Sequence, residues 1–295
     1  EGKEVGRIVP SPPGMWSAEI MPVTEPDAEW EDRQIGFATR SSAVRRISLR
    51  DFTNCKSNCK ISMNLPEGVD RVNARIGAED DDMMLVTSSG RAIRFPTTAV
   101  RVFNSRNSVG VRRIRLQGDD EVVSMSVNRH FKAEADERAA YLKMRRAMAG
   151  LADDAEIEDD DEVAPGELSQ ERYAEMSAAE NLLLTITTGG AGKLSSSHDY
   201  PVRGRGGMGV QAMDKAMRGG DIVASFPVEL DDQIMLATSK GQSIRVPVDG
   251  ISFRSRSAGG VKVFNTGKGE MVVSVARIVE QDEADDVEDS EAQDG

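Results

Sequence analysis

Short apolar runs recur along the chain, each followed by a polar turn, a short basic segment and a second apolar run. These runs are too short for helices and are separated by turn residues, so each is predicted to be a β-strand. Corresponding turn positions are 48, 100 and 51 residues apart, which indicates one repeat plus an insert in the middle interval. The turn positions are Ser42, Gly90, Gly190 and Gly241, with Ser42 in place of glycine.

Each repeat holds about four strand-like segments. This number predicts an all-β, propeller-like array of four-stranded blades rather than a sandwich or a βαβ fold, because repeats that cannot bury a face alone must stack. Side chains in the basic segment at residues 91–95 alternate with a period of two. If Ile93 and Phe95 are buried, Arg94 is expected to point outward.

The middle interval has a different composition. Residues 131–148 and 168–180 are rich in strong helix formers, which predicts two helices. The acidic run at 153–162 repels itself and predicts a solvated connection between them. Because this insert interrupts the repeat, we expect it to be dispensable for the blades. The predicted divisions are a remnant of a preceding blade at 1–35, blades at 36–130, the helical acidic insert at 131–180, blades at 181–278 and a disordered acidic tail at 279–295.

The net charge of −13, taken alone, argues against a nucleic-acid partner. However, residues 131–180 hold 15 acids and 6 bases, and residues 279–295 hold 9 acids and no base. The rest of the chain has 26 acids and 31 bases, a net charge of +5. The predicted blades are therefore basic, although the whole chain is acidic.

Basic residues concentrate in the strand-like segments, and residues 91–115 contain seven arginines and no acid. The arginine fork matches phosphate oxygens, and neighbouring glycine or serine turns let backbone N–H groups approach them. Because corresponding parts of the other repeats are also basic, phosphate binding is favoured over an ordinary solvated strand face. The candidate DNA-binding residues are Arg45, Arg46, Arg91, Arg94, Arg101, Arg106, Arg112, Arg113, Lys193, Arg203, Arg205, Arg245, Arg254, Arg256 and Lys262.

One glycine-rich segment has the spacing of a dinucleotide-binding fingerprint, at Gly204, Gly206 and Gly209. No hydrophobic strand precedes it, and no helix with a ribose-binding acid follows it. A glycine-permitted turn that carries Arg203 and Arg205 toward phosphate is the better interpretation. Aromatic residues make up only 4% of the chain, which favours duplex backbone over single strands as the target.

No pattern indicates catalysis or metal binding. Cys55 and Cys59 lack two further zinc ligands and are interpreted as buried free thiols. His130 and His198 have no partners in a recognisable catalytic pattern. With no apolar run near 18 residues and no signal peptide, we expect a soluble protein of a reducing compartment.

The repeats resemble the C-terminal domain of the A polypeptide of bacterial DNA gyrase, and the likeness covers nearly the whole chain. Its most specific carriers are residues 87–95 (TSSGRAIRF), 203–209 (RGRGGMG), 238–246 (TSKGQSIRV) and the acidic tail. The resemblance implies a β-pinwheel. A Gln-Arg-Arg-Gly-Gly-Lys-Gly box of the family's first blade is absent, so we expect the chain to begin after that box. The helical insert also departs from the commonest members.

The resemblance implies non-specific binding and wrapping of duplex DNA in support of ATP-dependent negative supercoiling by a type II topoisomerase. Its implied partners are duplex DNA, the rest of the gyrase A polypeptide and the gyrase B polypeptide in an A2B2 heterotetramer, in the bacterial cytoplasm at the nucleoid and without a membrane. It implies no catalytic residue, metal or cofactor on this chain, since ATP and Mg²⁺ are used by other domains. The corresponding C-terminal domain of topoisomerase IV and a propeller-like scaffold for protein partners are the alternatives.

Overall fold

The computed structural model of the chain describes residues 30, 32–52, 71–104, 108–150, 165–203, 206–216 and 219–278. Over these residues, fifteen β-strands form four antiparallel sheets, which confirms the predicted all-β array of blades. The strands are β1 (Gln34–Thr39), β2 (Ala43–Ser48), β3 (Arg71–Gly77), β4 (Asp82–Thr87), β5 (Arg91–Pro96), β6 (Val111–Arg112), β7 (Val122–Asn128), β8 (Leu182–Thr187), β9 (Ala191–Ser196), β10 (Val210–Gln211), β11 (Ile222–Val228), β12 (Gln233–Thr238), β13 (Ser243–Pro247), β14 (Val261–Lys262) and β15 (Val272–Ile278).

The blades are joined by an exchange of strands. Blade 1 has the strand order β3-β1-β2-β6, blade 2 has β7-β4-β5-β10, and blade 3 has β11-β8-β9-β14. In each case the last strand, two residues long, comes from the following repeat, and we call β6, β10 and β14 the exchange strands. Blade 4 has β15-β12-β13 and no exchange strand within the described residues. A blade is therefore completed by its neighbour, which ties successive repeats together.

The order of strands sets the inside and the outside of the array. Strands β3, β7, β11 and β15 stand at one edge of their sheets and contact one another in succession. That edge is the inner one, and the exchange strands consequently lie along the outer edge of blades 1 to 3.

A common turn joins the first two strands of each repeat. The first strand ends in threonine, and its hydroxyl oxygen accepts a hydrogen bond from the backbone N–H four residues later in all four repeats. The residue before that N–H has a positive φ, from 80° to 87° at the three glycines and 69° at Ser42. The assignment of Ser42 to the glycine position is thereby confirmed, although serine adopts this conformation at a cost.

Alternate side chains of β4, the strand next to the inner edge of blade 2, enter different hydrophobic clusters. Met83 and Leu85 of β4 pack with Val44 of blade 1, whereas Met84 of the same strand packs with Leu183 of blade 3. Every residue of β4 is buried. Blade 2 is thus covered on both faces, so its middle strand β4 has no solvent face on which a polar side chain could lie.

Two helices, α1 (Ala135–Met148) and α2 (Gln170–Ala179), connect blade 2 to blade 3. Reciprocal side-chain hydrogen bonds between Glu134 and Glu137 cap the start of α1. Helix α1 packs against the short 3₁₀ turn Ser197–Asp199 of blade 3. None of the described helices is long and apolar enough to cross a membrane.

The helices bury aromatic residues against blade 3. Tyr141 of α1 stacks on Tyr173 of α2 with ring centroids 4.9 Å apart, and its ring meets that of His198 edge to face at 5.1 Å. Met176 is fully buried and its carbonyl oxygen lies 2.8 Å from Nε2 of His198. The insert therefore covers part of blade 3. That the blades fold without the insert stays a prediction, and removing the insert would expose His198.

Candidate nucleic-acid interface

The described parts of three loops that lead into the exchange strands run along the outer edges of blades 1 to 3. We call these described residues, 101–104 with 108–112, 202–203 with 206–211, and 253–262, the exchange loops. Each is held at an equivalent point by a backbone hydrogen bond to the second strand of the blade. The bonds run from the N–H of Phe103 to the carbonyl of Arg46 (2.9 Å), from Arg203 to Arg94 (2.8 Å) and from Arg254 to Leu194 (2.8 Å).

Each exchange strand forms, with the second strand of its blade, a residue pair that holds one cation. The exchange strand and the first residues of the second strand form a pair beside the common turn, and in each pair one residue is an exposed cation. The cation sits on the exchange strand in blades 1 and 3 and on the second strand in blade 2. The pairs are Arg112 with Ala43, Arg91 with Gln211, and Lys262 with Ala191.

A second series of basic residues accompanies the first. Arg203 is exposed and Arg254 is partly exposed at equivalent positions of the exchange loops on blades 2 and 3. In blade 1 that position is Phe103, and exposed Arg101 lies over its ring with 4.6 Å from the guanidinium carbon to the centroid. The outer edges of three successive blades therefore each present two cations, the second at equivalent positions in blades 2 and 3 and beside that position in blade 1.

Arg94 contradicts the expectation that it points outward. It is 4% exposed and faces blade 3, because both faces of blade 2 are covered. Its Nε donates to the carboxylate of buried Asp82 at 2.8 Å, and its two Nη atoms donate to the carbonyl oxygens of Ser197 (2.7 Å) and Arg129 (2.8 Å). Burial lowers the pKa of Arg94, and Asp82 opposes that shift. Arg94 therefore holds blades 2 and 3 together.

Lys193 is also buried, in the middle of blade 3. Its Nζ donates to the carbonyl oxygens of Ser255 (2.9 Å), Arg256 (2.5 Å) and Ala258 (2.6 Å), all in the exchange loop of that blade. Burial lowers the pKa of Lys193 to about 7. The ammonium group thus holds the exchange loop in shape. Lys193 itself does not lie on the outer surface.

Arg45 occupies in blade 1 the position of Lys193 in blade 3. It is buried, its Nη1 donates to the carbonyl oxygen of Ser108 at 3.0 Å, and burial lowers its pKa. In both blades a buried cation at this position therefore binds backbone carbonyl oxygens of the exchange loop, although the cation and the loop sequence differ.

Three further candidates are buried as well. Arg46 donates to the side chain of Gln34, and Arg113 lies over the ring of Phe95 at 4.4 Å. Arg256 donates from Nε to the carbonyl oxygen of Asp199 at 2.9 Å. Burial lowers the pKa of Arg256 to about 10, with a smaller effect of nearby Arg91. Burial disfavours direct phosphate contact, so we leave Arg45, Arg46, Arg94, Arg113, Lys193 and Arg256 out of the proposed interface.

The remaining candidates divide into two groups. Arg245 is exposed on blade 4, whereas Arg106 and Arg205 lie outside the described residues, as do Cys55, Cys59 and the acidic tail. In the glycine-rich segment, Gly209 has a φ of 71°, and a Cβ there would lie 2.4 Å from the carbonyl oxygen of Ala92. This glycine permits the close approach of two strands, which agrees with a turn and not with a dinucleotide fingerprint.

Asp82 was missed by sequence reasoning. In the β4–β5 hairpin Met84 pairs with Arg94, so Asp82 lies two residues away on the same face, a diagonal position that the register would have shown. Asp82 also binds Nδ1 of His130 at 2.9 Å, so this histidine has a structural partner. Among the described residues, no group of three potential metal ligands occurs.

The strand exchange and the basic outer edge define the class of protein as a β-propeller with exchanged strands, and comparisons give the family. The model of the DNA gyrase C-terminal domain, beta-propeller, matches residues 81–129, 181–226 and 232–278, which are the second, third and fourth repeats. The chain is 40% identical to the A polypeptide of DNA gyrase from Granulibacter bethesdensis and 37% identical to that from Rickettsia bellii, covering 97% and 99% of this chain. The chain belongs to the family of DNA gyrase A C-terminal domains.

The similarity covers only part of those relatives. The chain spans about a third of their length, 32% in both cases. Among solved structures, it resembles a DNA gyrase A C-terminal domain with a TM-score of 0.60 at 19% identity, covering 84% of this chain and 67% of that one. It resembles a DNA topoisomerase IV C-terminal domain with a TM-score of 0.62 at 18% identity, covering 88% and 64%. These two likenesses show the fold, whereas the sequence relatives are named gyrase.

Proposed function

We propose that this chain binds duplex DNA without sequence preference and wraps it along the outer edge of the blades. The observation that carries the proposal is the recurrence of an exposed cation at one register position in three successive blades: Arg112, Arg91 and Lys262. A row of equally placed cations suits a polymer with regularly spaced phosphates. The second series of cations, Arg101, Arg203 and Arg254, would add further phosphate contacts beside this row.

The energetics favour such an arrangement. Smoothly bending a site of 20 to 30 base pairs costs on the order of 1 to 6 kcal/mol. Cations that neutralise phosphates release condensed counterions and offset that cost without reading the sequence. The buried cations support this function indirectly, since Lys193 and Arg45 hold the exchange loops that carry the exposed ones.

In the whole protein, wrapped DNA would be presented to a catalytic core that introduces negative supercoils. ATP hydrolysis, Mg²⁺ and strand cleavage would belong to other domains of the gyrase A polypeptide and to the gyrase B polypeptide, assembled as an A2B2 heterotetramer in the bacterial cytoplasm at the nucleoid. This chain would supply binding and bending, and no catalytic group.

The test is a salt titration of duplex binding. The triple variant Arg91→Ala, Arg112→Ala, Lys262→Ala should lower the slope of log K against log salt by about 2.7, at about 0.9 for each lost phosphate contact. The control variant Lys240→Ala, Lys268→Ala removes exposed cations from turns of blade 4. An equal loss of slope per charge in both variants would contradict a specific outer-edge interface.

A further inference from the structure

Helix α1 is a basic element that contacts the exchange loop of blade 3. It carries four cations and two acids, and α2 carries one cation and two acids. Both acids of α1, Asp136 and Glu137, are in its first turn. The part of the helix that follows is therefore purely basic among its charged side chains, with Arg138, Lys143, Arg145 and Arg146.

The contacts of α1 place it at the outer edge. The guanidinium of Arg145 lies over the ring of Phe253 at 4.7 Å, in the exchange loop of blade 3 and next to Arg254. Two turns earlier, Arg138 is close enough to Arg203, in the exchange loop of blade 2, for the two charges to interact. Two helical turns cover about 10 Å. The helix thus contacts the outer edge of blade 3 and has Arg138 within electrostatic range of the outer edge of blade 2.

Like charges gather at this junction. Burial lowers the pKa of Arg138, Glu134 opposes that shift, and the charge of Arg203 adds a smaller lowering. A phosphate beside both guanidinium groups would relieve this repulsion, whereas a neutral or cationic partner would not. Two acids lie near the basic residues of α1. Glu180 accepts a hydrogen bond from Nε of Arg145 at 3.3 Å, and Asp199 interacts electrostatically with Arg146.

We propose that α1 is a second DNA-contacting element, which continues the row of phosphate contacts from the exchange loop of blade 2 to that of blade 3. This inference rests on the proposed DNA-binding function. Arg138 and Arg145 are held by contacts within the protein, so they position the helix. Exposed Lys143 supplies the main contact to the DNA backbone. Partly exposed Arg146, one turn further along α1, supplies a second contact in addition to its electrostatic interaction with Asp199.

The experiment compares two double variants of the whole chain. Lys143→Ala, Arg146→Ala should reduce the slope of log K against log salt by about 1.8 for a short duplex of mixed sequence, with an unchanged thermal midpoint. The matched control Lys240→Ala, Lys268→Ala makes the same change of net charge in blade 4 and should leave most of the slope in place.

The outcomes separate the two proposals. If the unsubstituted chain shows no salt-dependent duplex binding, the proposed function fails and this inference fails with it. If the chain binds duplex DNA and the α1 variant keeps the slope of the control variant, only the role of α1 is overturned. A third variant, Lys143→Arg with Arg146→Lys, retains both charges and should retain the slope, which guards against an effect of helix packing.

Discussion

Blades 2 and 4 carry an arginine at the same position of the second strand, and the two arginines differ in their surroundings. Arg94 of blade 2 is 4% exposed and paired with Asp82, whereas Arg245 of blade 4 is exposed. The strands that carry them have the same register. The difference arises because blade 3 covers blade 2, and no described element covers the equivalent face of blade 4. An arginine at this strand position thus joins two blades where another blade covers it, and is exposed to solvent where none does.

The largest expected effect concerns the buried pair. Asp82→Ala would leave the Arg94 guanidinium buried without its carboxylate, which we expect to lower the free energy of unfolding by about 3 to 5 kcal/mol. Arg245→Ala should change it by less than about 0.5 kcal/mol, as for ordinary surface substitutions. Denaturant unfolding of both variants measures the contrast.

A double variant checks the cause of that loss. Asp82→Ala combined with Arg94→Met removes both charges and should recover much of the stability, because no uncompensated charge remains. If the double variant were less stable than Asp82→Ala alone, the hydrogen bonds from Arg94 to the Ser197 and Arg129 carbonyl oxygens would be the dominant contribution.

The second prediction concerns Lys193, the buried cation of blade 3. Its pKa is about 7 in the folded chain and near 10.5 in the unfolded chain, so between pH 7 and 10 the unfolded state binds more protons. Stability relative to Lys193→Met should therefore rise with pH across this window, by about 1.4 kcal/mol for each unit of pKa difference. Paired unfolding measurements at pH 7 and pH 10 test it. A difference that does not vary with pH would show that the three carbonyl oxygens keep the amine charged.

The sequence predicted the parts of the fold that depend on local chemistry. The turn with threonine and glycine, its serine variant at residue 42 and the two helices all follow from residue preferences over a few positions. The exchange strands could not be predicted, because pairs such as Val44 with Val111 involve two residues and a partner more than 60 positions away.

The candidate site was predicted in part, for the same reason. The basic composition of the outer edge was visible in the sequence, but burial depends on which blade covers which face. Arg91 and Arg94 belong to one segment, and only Arg91 is exposed. The proposed contribution of α1 was missed since its cations were assigned to an insert apart from the blades, although Arg145 contacts Phe253 of blade 3.

The smallest expected effect tests the register of the outer edge by adding a charge. Gln211 pairs with Arg91 and occupies in blade 2 the position of Arg112 and Lys262 in the neighbouring blades. Gln211→Lys should steepen the salt dependence of duplex binding by up to about 0.9 in slope, at a cost of about 0.2 to 1 kcal/mol in stability for the like charge opposite Arg91.

The matched substitution is Gln242→Lys in blade 4, because Gln242 and Arg91 occupy the same position directly after the common turn. No exchange strand pairs with this part of blade 4 among the described residues, so the new lysine would have no accompanying cations from an exchange loop. We expect a clearly smaller gain in slope than for Gln211→Lys, since a phosphate held by several groups is contacted more completely than one beside a single flexible side chain. Equal gains in the two variants would mean that added charge acts anywhere on the blades, and the row of equivalent cations would lose its significance for wrapping.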